Sequence, residues 1–331
     1  MANEIYPVSW WGSPVENGWG GIYYNFAQGG GLDGTSFITT WRTTTTNETI
    51  TIPTTGGGYN YDISTSDGQT FTGVTGSQAI TFATAGDYDV SISGDFPRIY
   101  INNGVDKDKI IDIKQWGNIV WSSFDKAFYG CINLVGSFTD APNLTNVTDF
   151  ENSFRNCSSF SANLSSWDVS NVTRFKNAFL ISGATAPSTP VSGLDSWDMS
   201  NATNISGMLR AQTNYNEDIS SWNVSNVTDM SNTFSGSTSF DQNLSSWDIA
   251  NVTNLANFAK DITFSTSNYD AILIGWEATL QAAFPNGSGY TPSISINFGN
   301  SEYTGGGAAA TSRTSLINNF NWTITDGGIA L

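Results

Sequence analysis

Carboxylates that recur at one position are the first residues in this chain that could do chemistry. Asp168, Asp198 and Asp248 each follow a Trp in a recurring phrase, and Asn223 takes the same position in another copy. Stacked copies would place these side chains about 5 Å apart, where carboxylates repel unless an ion or hydrogen bonds intervene. One interpretation is a Ca²⁺ ladder, since calcium takes carboxylate and carbonyl oxygens. The interpretation that Asn223 favours is a capping turn, in which each side chain accepts backbone N–H groups.

Asparagines recur three residues further along, and each opens an Asn-x-Thr sequence. They are Asn146, Asn171, Asn201, Asn226 and Asn251. As glycosylation acceptors they would matter only in a eukaryotic secretory pathway. We favour an internal ladder, in which each Asn hydrogen-bonds backbone groups at every turn of the structure.

Composition argues against other catalytic arrangements. The chain contains no His, which excludes Ser–His–Asp and Cys–His chemistry. Two acids could form a glycosidase pair, but nothing singles out a pair among the 29 Asp and Glu residues. The Gly-rich runs GGGLDG and TGGGAAA lack the Lys of a phosphate loop. We therefore predict a protein that is not an enzyme and carries no cofactor, with a polysaccharide depolymerase as the least favoured alternative.

The two cysteines lie in matched contexts, Cys131 in FYGCINL and Cys157 in FRNCSSF. The match predicts equivalent positions in successive coils, where the strand spacing would permit a disulfide. Two stacked, buried thiols are the favoured interpretation, because Cys is a small hydrophobic residue that suits a tight coil. The spacing fits no zinc motif.

The element that must position these residues is a unit that occurs in four clear copies. SSWDVSNVT, DSWDMSNAT, SSWNVSNVT and SSWDIANVT carry Trp167, Trp197, Trp222 and Trp247, which are 30, 25 and 25 residues apart. A period of this size predicts a solenoid, in which each unit buries its apolar face against its neighbours. The tryptophans and the Asn ladder are then structural. Recognition is expected at the variable positions between copies and at the loop Gly183–Gly193, which holds the five-residue excess.

Each unit is expected to contain two short pieces. The first, such as Asp229–Phe234, has apolar residues four apart behind a polar residue, which predicts helical or 3₁₀ turns with a polar cap. The second, such as Phe240–Trp247, is expected to supply the strand that stacks on neighbouring units.

The chain divides into four predicted regions that together indicate a mainly β protein with short helices. Residues 36–105 alternate apolar and polar residues between turns, which predicts a β-sandwich. Residues 106–260 hold the repeats. Residues 261–331 form an α/β cap, with a helix expected over Tyr269–Phe284. Residues 1–35 are interpreted as an attachment segment or as a hairpin that closes the sandwich, and their candidate contact residues are Trp10, Trp11, Trp19, Tyr23 and Tyr24.

Charge and hydropathy limit the partners. The formal net charge is −17, and no basic stripe is present, so we expect no nucleic-acid partner. No apolar run reaches the length of a membrane span. The opening residues MANEIYPVSWWGSP contain Glu4 and Pro7 and lack a basic region before an apolar core, so we also expect no secretion signal.

The repeats resemble those of BspA-like leucine-rich-repeat surface proteins, in the variant with a Trp-Asp-Val-Ser-Asn-Val-Thr phrase. The matching stretches are WDVSNVTRF, WNVSNVTDM and WDIANVTNL, with flanking similarity over residues 37–331. That resemblance implies a surface-exposed, right-handed, leucine-rich-repeat-like solenoid used for adhesion, without catalytic residues. FATAGDYDVSISG resembles the last hairpin of the PKD-type immunoglobulin-like domains, which are usually spacers. The first residues look like the start of bacteriophage structural proteins.

These observations predict a non-enzymatic virion protein of a phage. It would be a fibre or decoration protein at the virion surface, bound to other virion proteins through residues 1–35. The solenoid would attach to a host-surface glycan or protein. The alternative is a secreted adhesin on a bacterial cell surface, and whether the chain forms a homo-oligomer stays open.

Overall fold

The computed structural model describes residues 15–16, 22–23, 32–182 and 186–331. Within these ranges the chain is mainly β with two α-helices, so the predicted mainly β class is confirmed. The strands are β1 (Val15–Glu16), β2 (Ile22–Tyr23), β3 (Phe37–Thr43), β4 (Glu48–Ile52), β5 (Asn60–Thr65), β6 (Thr70–Val74), β7 (Gln78–Phe82), β8 (Gly86–Asp95), β9 (Ile110–Gln115), β10 (Val135–Gly136), β11 (Ser295–Asn297), β12 (Glu302–Tyr303), β13 (Thr323–Thr325) and β14 (Gly328–Ile329). The helices are α1 (Thr266–Ala283) and α2 (Ala308–Asn318), with 3₁₀ turns at Leu194–Ser196 and Pro285–Gly287. No helix in the described ranges has the length and apolar character needed to cross a membrane.

Most strands between β3 and β10 form one six-stranded sheet with the order β10-β9-β3-β8-β5-β6. Strand β3 pairs antiparallel with β8 and β9, and β4 pairs antiparallel with β7 in a separate two-stranded sheet. Alternate residues face a shared core, as the alternation of apolar residues predicts: Trp41, Ile50, Ile80 and Val90 are all fully buried.

Strands β7 and β8 do not form the hairpin that the PKD resemblance predicts. Strand β7 lies beside β4 in the two-stranded sheet, whereas β8 lies between β3 and β5 in the larger one. Their connection therefore crosses from one sheet to the other, and the Phe82 and Tyr88 rings stack across it at 3.9 Å. Alternation of apolar residues fixes which side of a strand is buried, but it does not choose the partner strand.

The larger sheet continues across the predicted boundary at residues 105 and 106. Strand β9, which falls within the predicted repeat region, pairs with β3 along one edge. Along its other edge it pairs in parallel with β10, with Val135 opposite Asp112. The sheet therefore runs directly into the stacked copies, and no linker separates the two predicted domains.

Consecutive copies of the repeat array (residues 143–260) are joined by parallel bridges. The bridged residues form one column, which runs Asp149, Arg174, Asn204, Asp229 and Asn254. This column lies in the first piece of each unit, so the expectation that the second piece supplies the stacking strand is wrong for these bridges. One further bridge, Asn163 to Ser192, does lie in the second piece.

The first piece of each unit is a run of tight turns with the expected polar cap, although the turns do not continue into a regular helix. The N–H groups of Thr233 and Ser235 donate to the carbonyls three residues back at 3.4 and 3.2 Å, and Asp229 accepts the Ser231 N–H at 2.9 Å.

The N–H groups of Met230, Asn232 and Phe234 donate to carbonyls of the next copy at 2.9 Å instead of to their own turn. Asn232 has a φ of 58°, and Asn152, Asn177 and Asn257 have similar values at the equivalent positions. Asn tolerates this left-handed conformation, which ends any helix at each copy. Apolar spacing alone missed this interruption.

The C-terminal region closes the array with the predicted helix. Helix α1 buries Ile272, Leu273, Trp276 and Leu280, as its apolar periodicity predicts. The last copy also bonds to the cap through the N–H of Ala259, which donates to the Asn297 carbonyl at 2.9 Å. The cap therefore covers the C-terminal end of the stack.

Asp33 ties the start of the sheet to β9. Its carboxylate accepts the N–H groups of Thr35 and Ser36, both at 2.8 Å, and the side-chain amide of Gln115 at 2.9 Å. Burial raises the pKa of Asp33, but the bonds from Ser36, Thr35 and Gln115 outweigh burial and lower it from 3.8 to about 2. The ionised carboxylate therefore stabilises the folded chain.

We expect Asp33 to contribute to acid unfolding. Its folded pKa is lower than its unfolded pKa, so its contribution is complete above pH 3.8 and is lost as the pH falls towards about 2. The contribution should be about 1 kcal/mol, discounted for partial exposure. Thermal unfolding between about pH 2 and pH 6 should show a shallower pH dependence for Asp33→Asn than for the wild type. Equal slopes would contradict this role.

Gly275 lets α1 approach the last copy closely. A Cβ at this position would overlap the Ser245 carbonyl and lie 2.7 Å from the Ser245 Cβ. We expect Gly275→Ala to destabilise the chain by about 1–3 kcal/mol through overpacking, which exceeds the helix propensity that Ala adds. The matched control is Gly57→Ala, whose Cβ would meet no atom of the described residues within 4 Å. Calorimetric melting temperatures of the two variants measure the difference, and equal values would rule out the close approach.

Candidate functional site

The four repeat tryptophans form a buried column that links each copy to the one before it. All four are at least 97% buried. The indole N–H groups of Trp197, Trp222 and Trp247 donate to carbonyls of the preceding copy at 3.0, 2.8 and 3.2 Å. Trp276 of α1 donates in the same way to the Leu244 carbonyl at 2.9 Å, so the cap supplies the last member of the column.

The column lacks this bond at its first member. Among the described residues, the buried Nε1 of Trp167 has no hydrogen-bond partner, and the same holds for Trp116 and Trp121. The three indoles meet in one aromatic cluster, where the Trp116 ring lies 5.3 Å from Trp167 and 5.7 Å from Trp121. At the junction with the sheet, aromatic packing thus replaces the hydrogen bond made elsewhere.

The Asn-x-Thr sequences form a ladder on the surface. The side-chain amides of Asn171, Asn201, Asn226 and Asn251 donate to the preceding copy, the last three to the carbonyls of Ser170, Ser200 and Ser225 at 2.7–2.8 Å. These asparagines are exposed, so the ladder exists but its predicted internal position is wrong. Each Asn lies in a turn, closed for Asn226 by the Val227 N–H donating to the Val224 carbonyl at 2.9 Å, and this turn leaves Asn exposed while Val227 is buried.

A threonine ladder runs beside it and was missed by sequence reasoning. The N–H and the hydroxyl of Thr228 both donate to the Thr203 carbonyl, at 2.9 and 3.2 Å. The same pair of bonds joins Thr173 to Thr148, Thr203 to Thr173, and Thr253 to Thr228. The Thr that ends every Asn-x-Thr sequence was the feature of the sequence that could have predicted this ladder.

The recurring acidic position forms local turns. An oxygen of Asp168, Asp198, Asn223 and Asp248 accepts the N–H two residues further on at 2.9–3.1 Å. This is the bond that the capping interpretation predicts, and bonds from the Ser170 hydroxyl and N–H lower the pKa of Asp168. The described ranges contain no group of three or more His, Cys, Asp or Glu residues able to hold a metal ion.

The two cysteines are free and buried. The Cys157 thiol donates to the Phe128 carbonyl at 3.0 Å. Burial raises the pKa of Cys131 well above its usual value, and the neighbouring Cys157 thiol raises it further. These are the stacked, buried thiols that the matched sequence contexts predict.

The predicted attachment residues are only partly within the described ranges. Trp10, Trp11, Trp19 and Tyr24 lie outside them, whereas Tyr23 belongs to β2 and pairs with Val15 of β1. The predicted recognition loop, Gly183–Gly193, is also only partly within the described ranges, because residues 183–185 lie outside them. In its described part, Ser192 bridges to Asn163 and the Gly193 N–H donates to Glu217 at 2.8 Å.

Two surface hollows are lined, respectively, by residues of the six-stranded sheet with the first units and by residues of the last units with α1. We call the residues that line them the lateral face. The larger hollow is a groove of about 770 Å³ between the sheet and the first units. Four of its five charged residues pair with each other, Arg42 with Asp87 at 2.7 Å and Lys114 with Asp89 at 2.8 Å, and the fifth, Asp112, accepts the Ser137 N–H at 3.0 Å.

The smaller hollow, which we call the junction hollow, measures about 340 Å³ and lies where the last complete unit meets α1. It is lined by Asp218, Ser220, Gln242, Asn243, Ser245, Ser246 and Asn268. All seven side chains can form hydrogen bonds, and only Asp218 is charged. Sequence reasoning did not identify this site, since its residues come from two units and the cap.

Residues 122–191 and 181–277 match the model of a family described as "Mycoplasma protein of unknown function, DUF285". The two matches overlap in the loop at the unit with the five-residue excess, and together they span slightly less than half of the chain. The chain is thus similar to that family over the repeat array and the start of the cap. No curated protein and no solved structure matches the chain.

The indole bonds predict a contrast between two tryptophans. Trp222→Phe removes one of the two donors to the Leu194 carbonyl, which keeps the Trp197 N–H, whereas Trp167→Phe removes an N–H that has no partner in the described part of the chain. Because both rings are equally buried, we expect Trp222→Phe to be more destabilising by about 1 kcal/mol, the net contribution of one hydrogen bond. Melting followed by circular dichroism tests this, and an equal loss in both variants would contradict it.

Proposed function

We propose that the chain is a non-enzymatic structural protein that holds its repeat array as a rigid surface for binding. The observation that supports this most directly is the use of the repeated residues. Thr and Asn of each phrase, and Trp of the last three, bond to the preceding copy, as in Trp222, Thr228 and Asn226. The repeated residues thus build the scaffold, and the exposed residues that differ between copies are free to contact a partner.

We further propose that the array is a right-handed, leucine-rich-repeat-like solenoid of the BspA-like kind, preceded by a PKD-like β-sandwich. Parallel bridges between units about 25 residues apart support the first part, as in Asn204 to Asp229. Two sheets around a shared core support the second. Strands β7 and β8 join these two sheets, as a sandwich requires.

The partner in this proposal is a host-surface molecule. A net charge of −17 disfavours phosphate-rich and other polyanionic partners through long-range repulsion. The lateral face instead offers hydroxyl, amide and carboxylate groups, and these are suited to a glycan or a polar protein surface.

The place of action that we propose is a phage virion, where the chain would be a fibre or decoration protein. The aromatic residues within residues 1–35 motivate this, since Trp and Tyr are enriched where proteins bind each other. Trp10, Trp11 and Trp19 would contact other virion proteins, and the array would extend towards the host.

Mass spectrometry of purified virions tests this role. We expect the full chain in the particles, and we expect the combined substitution Trp10→Ala, Trp11→Ala and Trp19→Ala to reduce its incorporation at least about tenfold through lost aromatic anchors. Trp167→Phe, which lies in the array and removes an indole N–H without a partner in the described part of the chain, is the control and should leave incorporation unchanged. Virions that lack the wild-type chain would refute the virion role.

A surface adhesin of a bacterial cell is the second candidate. The observation that favours it is the similarity to a family whose description names Mycoplasma, a bacterium. Protease treatment of intact cells separates the two candidates, because only an adhesin would be cleaved from cells that contain no phage.

A further inference from the structure

The junction hollow is built from polar groups that the scaffold already holds in place. An Asp218 oxygen accepts the Ser220 N–H at 3.0 Å, and the Asn243 Oδ1 accepts the Ser245 N–H at 2.9 Å. The Gln242 amide donates to the Asn216 carbonyl at 2.9 Å. Because these side chains are fixed before any ligand arrives, binding would cost little of their conformational entropy.

Each of these bonds uses one polar atom and leaves a second one available. Among the described residues, the bonds given for Asp218, Asn243 and Gln242 leave a carboxylate oxygen, an amide N–H₂ and a carbonyl oxygen without a protein partner. Two acceptors and one donor group therefore border the same hollow. Asp218 and Asn243 are exposed and Gln242 is half-buried, so a ligand in the hollow that both donates and accepts can use all of these groups.

The cap supplies one wall of the hollow. Asn268 of α1 is held by the Asp241 carbonyl and carboxylate, both at 2.9 Å, and borders the space beside Asn243. Asn163 occupies the position of Asn243 in an earlier copy, makes the same turn bond, to Ser165 at 2.9 Å, and lies outside this hollow. The turn bond explains the Asn at both positions, so Asn163 is a reference for the chemistry of Asn243 without the hollow.

The lining determines the ligand class. No apolar side chain lines the hollow, so an apolar ligand would gain no hydrophobic contact there. Bonds from the Ser220 hydroxyl and N–H lower the pKa of Asp218, so its carboxylate is ionised at neutral pH and repels anions. Sugar hydroxyls are uncharged and act as both donors and acceptors.

We propose that the junction hollow is a binding subsite for a neutral oligosaccharide, with Asp218, Gln242 and Asn243 as its hydrogen-bonding residues. This rests on the proposed function, since it specifies what the array would bind. It differs from that function in being testable on the isolated full chain, without a virion or a cell.

Calorimetric titration of the full chain tests the subsite. The probes are neutral hexasaccharides of glucose, mannose and N-acetylglucosamine, with oligogalacturonate as the anionic comparison. We expect at least one neutral probe to bind and the anionic probe not to bind. Asn243→Asp keeps the turn acceptor but removes the amide donor, so it should weaken binding at least about fivefold, the effect of one hydrogen bond.

Asn163→Asp is the matched control, because it makes the same chemical change in the same turn outside the hollow. It should leave the affinity unchanged, and the melting temperatures of both variants should stay near that of the wild type. The proposal is overturned if no neutral probe binds, if only the anionic probe binds, or if both variants weaken binding equally. Oligosaccharide binding by a chain found on neither virions nor cells would instead refute the proposed function alone.

Discussion

The structure depends on one constraint: each unit must satisfy the backbone groups of its neighbour. A single unit is too small to bury its own apolar face or to pair its own N–H and C=O groups. Stacking answers both needs at once, because the carbonyls of one copy accept bonds from the backbone, Thr, Asn and Trp groups of the next. The Trp, Asn and Thr of the recurring phrase are the side chains that make these bonds.

The two ends of the array meet the same constraint in different ways. At the C-terminal end, Trp276 of α1 reproduces the indole bond of the repeats, so a helix closes a stack of units that are themselves built mostly from turns. At the other end, the β9–β10 pairing lets the six-stranded sheet act as the preceding unit. There the Trp167 indole N–H has no partner among the described residues, and the ring packs in a cluster of aromatic rings instead. Both ends of the array therefore bury a Trp ring, but only at the C-terminal end does the indole N–H donate a hydrogen bond.

The bonds between units come mainly from backbone groups and from the Trp, Thr and Asn side chains that recur in the copies. Some residues that differ between copies also contribute, as the Gln242 amide does when it donates to the Asn216 carbonyl of the preceding unit. Hydrophobic burial supplies most of the stability of the array.

The sequence by itself determined the repeat, its period, the buried tryptophans, the helix near Tyr269 and the mainly β class. These follow from local periodicity, which any strand or helix must show whatever its partner. It also pointed to turns at Asp168 and its equivalents, since Asx side chains bond nearby N–H groups. Only the tertiary structure decided which strands pair, that β7 and β8 separate into two sheets, and that the Asn ladder lies outside. The tertiary structure also brought Asp218, Asn243 and Asn268 together. Contacts between the units and the cap depend on how the units stack, and local sequence patterns do not predict that geometry.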